Sequence, residues 1–321
     1  MNYKFKSSLL FLLILLCSIN IQAQEEIRFS NYKYNRLFYN PAYAGSSGFM
    51  EGVLAYRNQW VGVEGSPETA LVSFQAPINY TNSGVGAVVY RNQFGIQSDI
   101  AIFLNYAYHI QINYEGKLSM GLQAGFINKQ MNWAELDFYD PNISSNLQES
   151  DNIVSDKNIS TWVPNFGLGF YYYTPDYYFS LSIPRLLSNN QPSTEGISNN
   201  LSFDSKSLFY YLGAGVTLPI NREIDFSPSF LFVGSYKTSN LLNVNLDFIH
   251  ESGVSVGAGY RSDGTWAGLL GYQLTQKLRF SYSYEKSFGN YPTKGYTNHE
   301  IILNYNLSLR KSQITSPRYF Q

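Results

Sequence analysis

Three histidines, His109, His250 and His299, are the first side chains to weigh for chemistry in this 321-residue chain. None stands at metal-ligand spacing from another His or from an Asp or Glu on a helix, so each reads as a structural polar residue. Serines are abundant near His299, but abundance is not a triad, which needs a base and an orienting acid held around one hydroxyl. The only cysteine, Cys17, lies in the leader described below. Disulfides, thiolate metal sites and a cysteine nucleophile are thereby excluded from the mature chain. Gly84-Val85-Gly86 and Gly257-Ala258-Gly259 fall in alternating segments and do not open helices, so a phosphate cradle fails on context. Net charge is −1, and no nucleic-acid footprint is visible. The expectation is a non-enzymatic chain with no catalytic residue, no metal and no cofactor.

Bulk composition points elsewhere. Met1 to Gln24 carries a basic start at Lys4 and Lys6, an apolar run from Leu9 to Ile19, and small Ala23 at a plausible cleavage position. Residues 1–23 therefore read as a secretory signal peptide, too short and wrongly flanked to span a membrane. A lipid anchor at Cys17 is the competing reading, and bulky Leu16 before it argues against that. Charged residues make up 14% of the chain, against about 25% in ordinary soluble domains. Aromatic residues reach 17%, with 28 Tyr and 22 Phe. No apolar run long enough for a spanning helix follows the leader. An exported, aromatic-rich, charge-poor chain without such helices fits a transmembrane β-barrel. A soluble secreted β-protein is the alternative.

Residues 24–50 are polar and aromatic without a sustained period, and read as an N-terminal arm, either periplasmic or plugging a barrel mouth. Within them Asn40-Pro41-Ala42-Tyr43-Ala44-Gly45 is turn chemistry. Pro41 fixes its own φ and pushes Asn40 to an extended conformation, and Gly45 can take positive φ. The stretch is expected to deliver the chain into its first strand. From about residue 51 the period becomes two. Leu278, Phe280, Tyr282 and Tyr284 alternate with Arg279, Ser281, Ser283 and Glu285. Ile301, Leu303, Tyr305, Leu307 and Leu309 alternate with Glu300, Asn304, Asn306, Ser308 and Arg310, Ile302 being the exception. Such alternation specifies strands with one apolar face. Tyr260, Tyr272 and Tyr284 at strand ends suit interfacial girdles.

The template yields about fourteen strands, centred near 52–60, 68–76, 84–93, 98–111, 117–130, 165–174, 177–184, 207–218, 224–236, 239–250, 254–261, 265–272, 277–285 and 299–309. Connections of one parity are mostly short, such as Tyr114-Glu115-Gly116, Pro175-Asp176 and Glu251-Ser252-Gly253. The long ones, 131–164, 185–206 and 286–298, all share the other parity. Short periplasmic turns and long outer loops are the asymmetry of an outer-membrane barrel, and a sandwich has no reason to show it. The Asn/Ser-rich 142–160 segment is expected to be disordered.

The fold expected is thus all-β: a transmembrane antiparallel up-and-down barrel at 51–310, with a tail at 311–321. In a closed barrel the first and last strands are neighbours. Arg57, late on strand one, and Glu300, early on strand fourteen, both fall on the inward face near the outer end. They are expected to pair across the seam; two separately solvated lumen charges are the alternative. A lumen of this width must hold water, a plug or a partner.

These residues resemble the PorP/SprF family of outer-membrane proteins, linked to type IX secretion and gliding motility. The resemblance runs over nearly the whole mature chain. It rests on Phe29-Ser30-x-Tyr32, on Tyr39-Asn40-Pro41-Ala42-Tyr43-Ala44-Gly45, on Tyr56-Arg57-x-Gln59-Trp60 and on Pro67-x-Thr69. Tyr106-Ala107-Tyr108, Pro164-Asn165-Phe166-Gly167-x-Gly169, Ser182-Ile183-Pro184-x-Leu186 and His299-Glu300-Ile301 continue it in order. Asn92 and Asn298 depart from the pattern, which expects an acid and a small residue there. The resemblance implies a multi-pass barrel in the cell outer membrane, in contact with its lipid. It implies a secreted surface protein as cargo, held through a C-terminal sorting domain. It also implies association with a periplasmic lipoprotein or ring components of the secretion system. The alternative function is a diffusion channel or small-solute transporter.

Overall fold

The computed structural model describes residues 26–132, 159–189, 201–202, 208–236, 240–289 and 295–307. Fourteen antiparallel strands close into one barrel. They are β1 Met50–Asn58, β2 Glu68–Ile78, β3 Ser83–Phe94, β4 Gln97–Gln111, β5 Lys117–Met131, β6 Ile159–Tyr173 and β7 Tyr177–Ile183. The second half comprises β8 Phe209–Val216, β9 Ile224–Ser235, β10 Leu241–His250, β11 Val254–Arg261, β12 Thr265–Gln273, β13 Leu278–Ser287 and β14 Thr297–Leu307. Each strand pairs with its sequence neighbours, and β1 pairs with β14 from Met50↔Leu307 to Asn58↔His299. Leu218–Pro219 prolongs the β8 edge along β9. A separate two-residue ladder joins Ser188–Asn189 to Leu201–Ser202.

Alternation sets the two faces. Leu54, Leu104, Leu122, Val256 and Tyr305 are exposed outward, while Ala101, Ser119, Ser283 and Asn304 are buried inside. The face that would be polar on a soluble protein is apolar here, because lipid covers it. The strand ends follow the expected bounds closely except in β6. That strand starts at Ile159, where Met131↔Ile159 opens its ladder with β5. Pro164 lies within it opposite Phe126 and cannot donate to the ladder, which hides the start in the sequence. The connections at 79–82, 112–116, 174–176, 217–223, 251–253 and 274–277 lie at one end; those at 59–67, 95–96 and 262–264 lie at the other, as do the strand ends that flank 132–158, 184–208 and 288–296. The end that carries only short turns is the periplasmic one. The leader, residues 142–158 of the Asn/Ser-rich 142–160 segment and the tail at 311–321 lie outside the described residues; residues 159 and 160, expected to be disordered, open β6 instead.

Candidate functional site

Residues 26–49 lie inside the barrel. They form three single turns, Tyr32–Tyr34, Arg36–Tyr39 and Pro41–Tyr43, and most of their side chains are buried. So short a segment cannot hold such turns by propensity alone, so the lumen wall must fix them. Part of the grip is apolar. Phe29, Tyr32 and Leu37 of the arm share a buried cluster with inward-facing Val53, Leu71, Val88, Phe103 and Ile302. Phe38 packs edge-on against Phe29 at 5.5 Å and Tyr90 at 5.7 Å. Ile302, the exception in the last strand's alternation, is thus a wall residue of this inner core.

The outer half of the lumen holds an ionic lock. Arg57 and Glu300 face each other across the β1–β14 seam, both fully buried, with Arg57 Nη1 3.0 Å from Glu300 Oε2. Glu285 on β13 takes Arg57 in a fork, at 2.5 Å to Nη1 and 2.8 Å to Nη2. Arg261 on β11 reaches Glu285 at 3.5 Å and Asp263 at 2.7 Å, and Arg28 of the arm approaches Asp263 at 3.9 Å. Three cations therefore meet three anions. The arm completes the set. Ser30 N and Asn31 N donate to the two Glu300 oxygens at 2.8 and 2.9 Å, and Ser30 Oγ donates to Glu285. Asn298, the departure noted before His299, donates to Glu285 at 2.7 Å. Burial disfavours the charge on Asp263, in the β11–β12 turn. Arg261, the hydrogen bonds of Arg261 and Thr265, and Arg28 outweigh that and hold its carboxyl below the usual aspartate range.

The periplasmic half holds the Asn-Pro turn as a seat. Asn40 is extended, as the following proline requires, and its Oδ1 accepts from Ala42 N at 2.9 Å. Its Nδ2 donates to Phe170 O at 2.9 Å and Ser180 Oγ at 2.8 Å. Ser182 Oγ donates to Tyr39 O, and Ser119 Oγ to Ala42 O, each at 2.6 Å. His109 Nε2 lies 3.0 Å from Ala44 O. The strand glycines below are empty for a reason: a Cβ at Gly121 would collide with Ala42, and one at Gly84 with Ala44. Gly45 takes φ +78° and its N–H donates to Gln75 Oε1. From there residues 46–49 lead into β1. The turn is thus more than a connection into the first strand, because it is docked on β4 to β7.

Residues 21–305 match the family described as type IX secretion system membrane protein PorP/SprF. The chain belongs to that family. No curated protein is similar enough to count as a match. Among solved structures, the Ralstonia pickettii toluene transporter TbuX is 11% identical, with 86% of this chain and 94% of that one covered at a TM-score of 0.50. At that identity the likeness shows the barrel fold alone. The CymD monoaromatic hydrocarbon channel (11% identity, 85% and 91% covered, TM-score 0.48) and the Acinetobacter baumannii outer-membrane protein Omp33 (10%, 81% and 98%, TM-score 0.46) are also similar. This PorP/SprF chain is a multi-pass outer-membrane protein. Family and fold are of the secretion and membrane type rather than an enzymatic one.

The remaining motif residues of the PorP/SprF chain gather at the outer rim. Gln59 Oε1 lies 3.4 Å from Arg57 Nη2, and Gln59 N donates to Pro67 O at 2.9 Å. Trp60 adopts φ 50°, donates its N–H to Asn298 Oδ1 at 2.9 Å and packs against Phe94 and Tyr296. Thr69 Oγ1 donates to Asn92 Oδ1 at 2.8 Å. Asn92 thus serves as the acceptor in place of the acid the pattern expects. His299 is on the outward face, 2.7 Å from Tyr282 OH, away from the lock and paired with a phenol rather than a serine. His250 ends β10, its Nδ1 2.9 Å from Ser252 Oγ in the following turn. Among the described residues no cluster of His, Cys, Asp or Glu could hold a metal ion. What sequence reasoning missed are the contacts of Glu285, Arg261, Ser30 and His109. Glu285 was legible as inward-facing; what was missing was the β13–β14 register, Glu285↔Asn298 and Ser283↔Glu300, that brings it to Arg57.

Proposed function

We propose that this barrel serves the type IX system as an attachment component. It holds a secreted surface protein at the cell surface through that protein's C-terminal sorting domain. The outer loops contact the cargo, and the periplasmic turns meet a lipoprotein or ring component. The observation that carries this reading, beyond family membership, is the filled lumen. The arm is hydrogen-bonded or ion-paired to β1, β2, β4 to β10, β13 and β14, which suits a docking scaffold and leaves little reason for a solute path. The rim residues Gln59, Trp60, Pro67 and Thr69 act in this reading as a fixed collar under the outer loops.

Co-purification tests it. The tagged barrel is extracted gently from its native outer membrane, and its companions are identified by mass spectrometry. A large surface protein with a C-terminal sorting domain is the expected companion. A barrel that comes down alone, and conducts ions in a planar bilayer with its arm in place, overturns the reading in favour of a diffusion channel or small-solute transporter.

A further inference from the structure

The periplasmic mouth is not filled. Arm, wall and turns enclose an open-mouthed cavity of about 360 Å³, within the size of small-ligand sites. Two guanidinium groups line it, Arg36 from the arm and Arg279 from β13. Arg36 lies 4.1 Å over the Tyr178 ring and donates to Tyr171 OH at 2.8 Å. Arg279 lies 4.7 Å over the Tyr34 ring and donates to Ser255 Oγ at 2.5 Å. Among the described residues neither forms an ion pair, and the Nε of each is buried without a partner. The contrast is local. Lys33, in the same wall, is 2.9 Å from Asp247. Glu51, the carboxylate inside the cavity, is engaged by Gln75 Nε2 at 2.9 Å and Tyr43 OH at 3.3 Å. Glu115, Lys117 and Asp176 are exposed at the rim.

Arg279 is a buried guanidinium with no counter-ion in contact, and half-buried Arg36 has only Glu51 across the cavity beyond ion-pair distance; that is costly, and an arriving anion would relieve the cost. Each guanidinium here is already held by a ring face and one hydrogen bond, so little rotamer freedom remains to be lost. Planar donor edges suit a carboxylate fork, and the tyrosine walls suit a flat apolar group beside it. Glu51 in the same wall repels a dianion more than a monoanion, which favours carboxylate over phosphate. We propose that this vestibule binds a carboxylate with an aromatic flank, entering from the periplasmic side. Two sources share that chemistry: the free C-terminus of a polypeptide ending in an aromatic residue, and a small aromatic acid. The site is separate from the outer loops and does not depend on the attachment reading.

The test is calorimetric titration of the full-length mature barrel in detergent. The probes are acetyl-Gly-Phe as free acid, the same peptide as its C-terminal amide, benzoate and inorganic phosphate. The free acid is expected to bind about tenfold or more tighter than the amide, the loss of one charge-assisted pair. Arg279→Gln and Arg36→Gln are each expected to weaken the acid by a similar factor and leave the amide unchanged. Arg36→Gln also touches the arm, so Arg279→Gln, on the strand side, decides if the first variant fails to fold. Acid and amide binding alike, phosphate binding tighter than either acid, or an unchanged acid affinity in Arg279→Gln overturns the proposal. Peptide acid binding without benzoate assigns a chain terminus; equal binding of both assigns a small acid.

Discussion

The two halves of the lumen handle buried charge in opposite ways. In the outer half Arg57, Arg261 and Arg28 are matched by Glu285, Glu300 and Asp263, and backbone N–H groups of the arm fill the remaining acceptor positions. In the periplasmic half Arg36 and Arg279 rest on tyrosine rings without a carboxylate partner. Arg57, Arg261 and Arg279 are buried, whereas Arg36 is half-buried and faces the open mouth. Only the outer half brings a carboxylate of the chain into ion-pair contact with each guanidinium. A closed, balanced network fixes one arrangement and resists the loss of any member. An unbalanced one lies closer to a binding site than to a structural core. The same strands therefore build a lock at one end and a receptive mouth at the other.

The largest expected effect comes from breaking the balanced half. Arg57→Met leaves Glu285 and Glu300 buried against each other, at a cost of about 3–5 kcal/mol. The urea midpoint of the folded, heat-modifiable band should fall by that measure. An unchanged midpoint would mean that the outer network is solvated and not a lock. Next in size is the seat. Gly121→Leu drives a side chain into Ala42, so the turn at 40–45 must leave its place on β4 to β7. The barrel strands are untouched, so the prediction is a folded protein with raised ion conductance in planar bilayers. Wild-type conductance there would show that the arm stays in the lumen without this seat.

The unbalanced half should behave differently under a comparable change. Arg279→Gln loses a cation–π contact and one hydrogen bond, each worth about 1 kcal/mol, and at the same time removes an uncompensated buried charge. The net shift is expected to stay within about 1 kcal/mol, well below that of Arg57→Met. Equal losses at the two arginines would erase the distinction between lock and mouth.

Strand number, strand ends and the two faces were legible because lipid imposes period two on every strand, from Tyr56 and Leu54 outward to Arg57 inward. The seam pair was legible because closure fixes which strands meet. The partners from β11 and β13 were not, since alternation gives a face but no register. The arm was harder still. Its grip consists of main-chain groups such as Ser30 N and Ala42 O, which leave no mark in residue type. One trace did exist. Val53, Leu71, Val88, Phe103 and Ile302 break the rule that lumen faces are polar, and each touches the arm's buried cluster. Apolar residues on the wrong face of a barrel strand announce a plug.

The smallest expected effect probes how far the lock extends toward solvent. Asp263 is part-exposed and stands at its outer edge, paired with Arg261 and Arg28. Its carboxyl is held below the usual aspartate range by those cations. A depressed value in the folded state means that folding favours the ionised form. That contribution is fully present above the unfolded value, about 4, and is lost as pH falls through the lower folded one. Solvent screening keeps it under about 1 kcal/mol. The urea midpoint of the wild type should therefore drop between pH 5 and pH 2 by slightly more than that of Asp263→Asn, with the two curves parallel above about pH 5. If the curves stay parallel to pH 2, Asp263 belongs to the solvated rim, and the lock ends at Arg261.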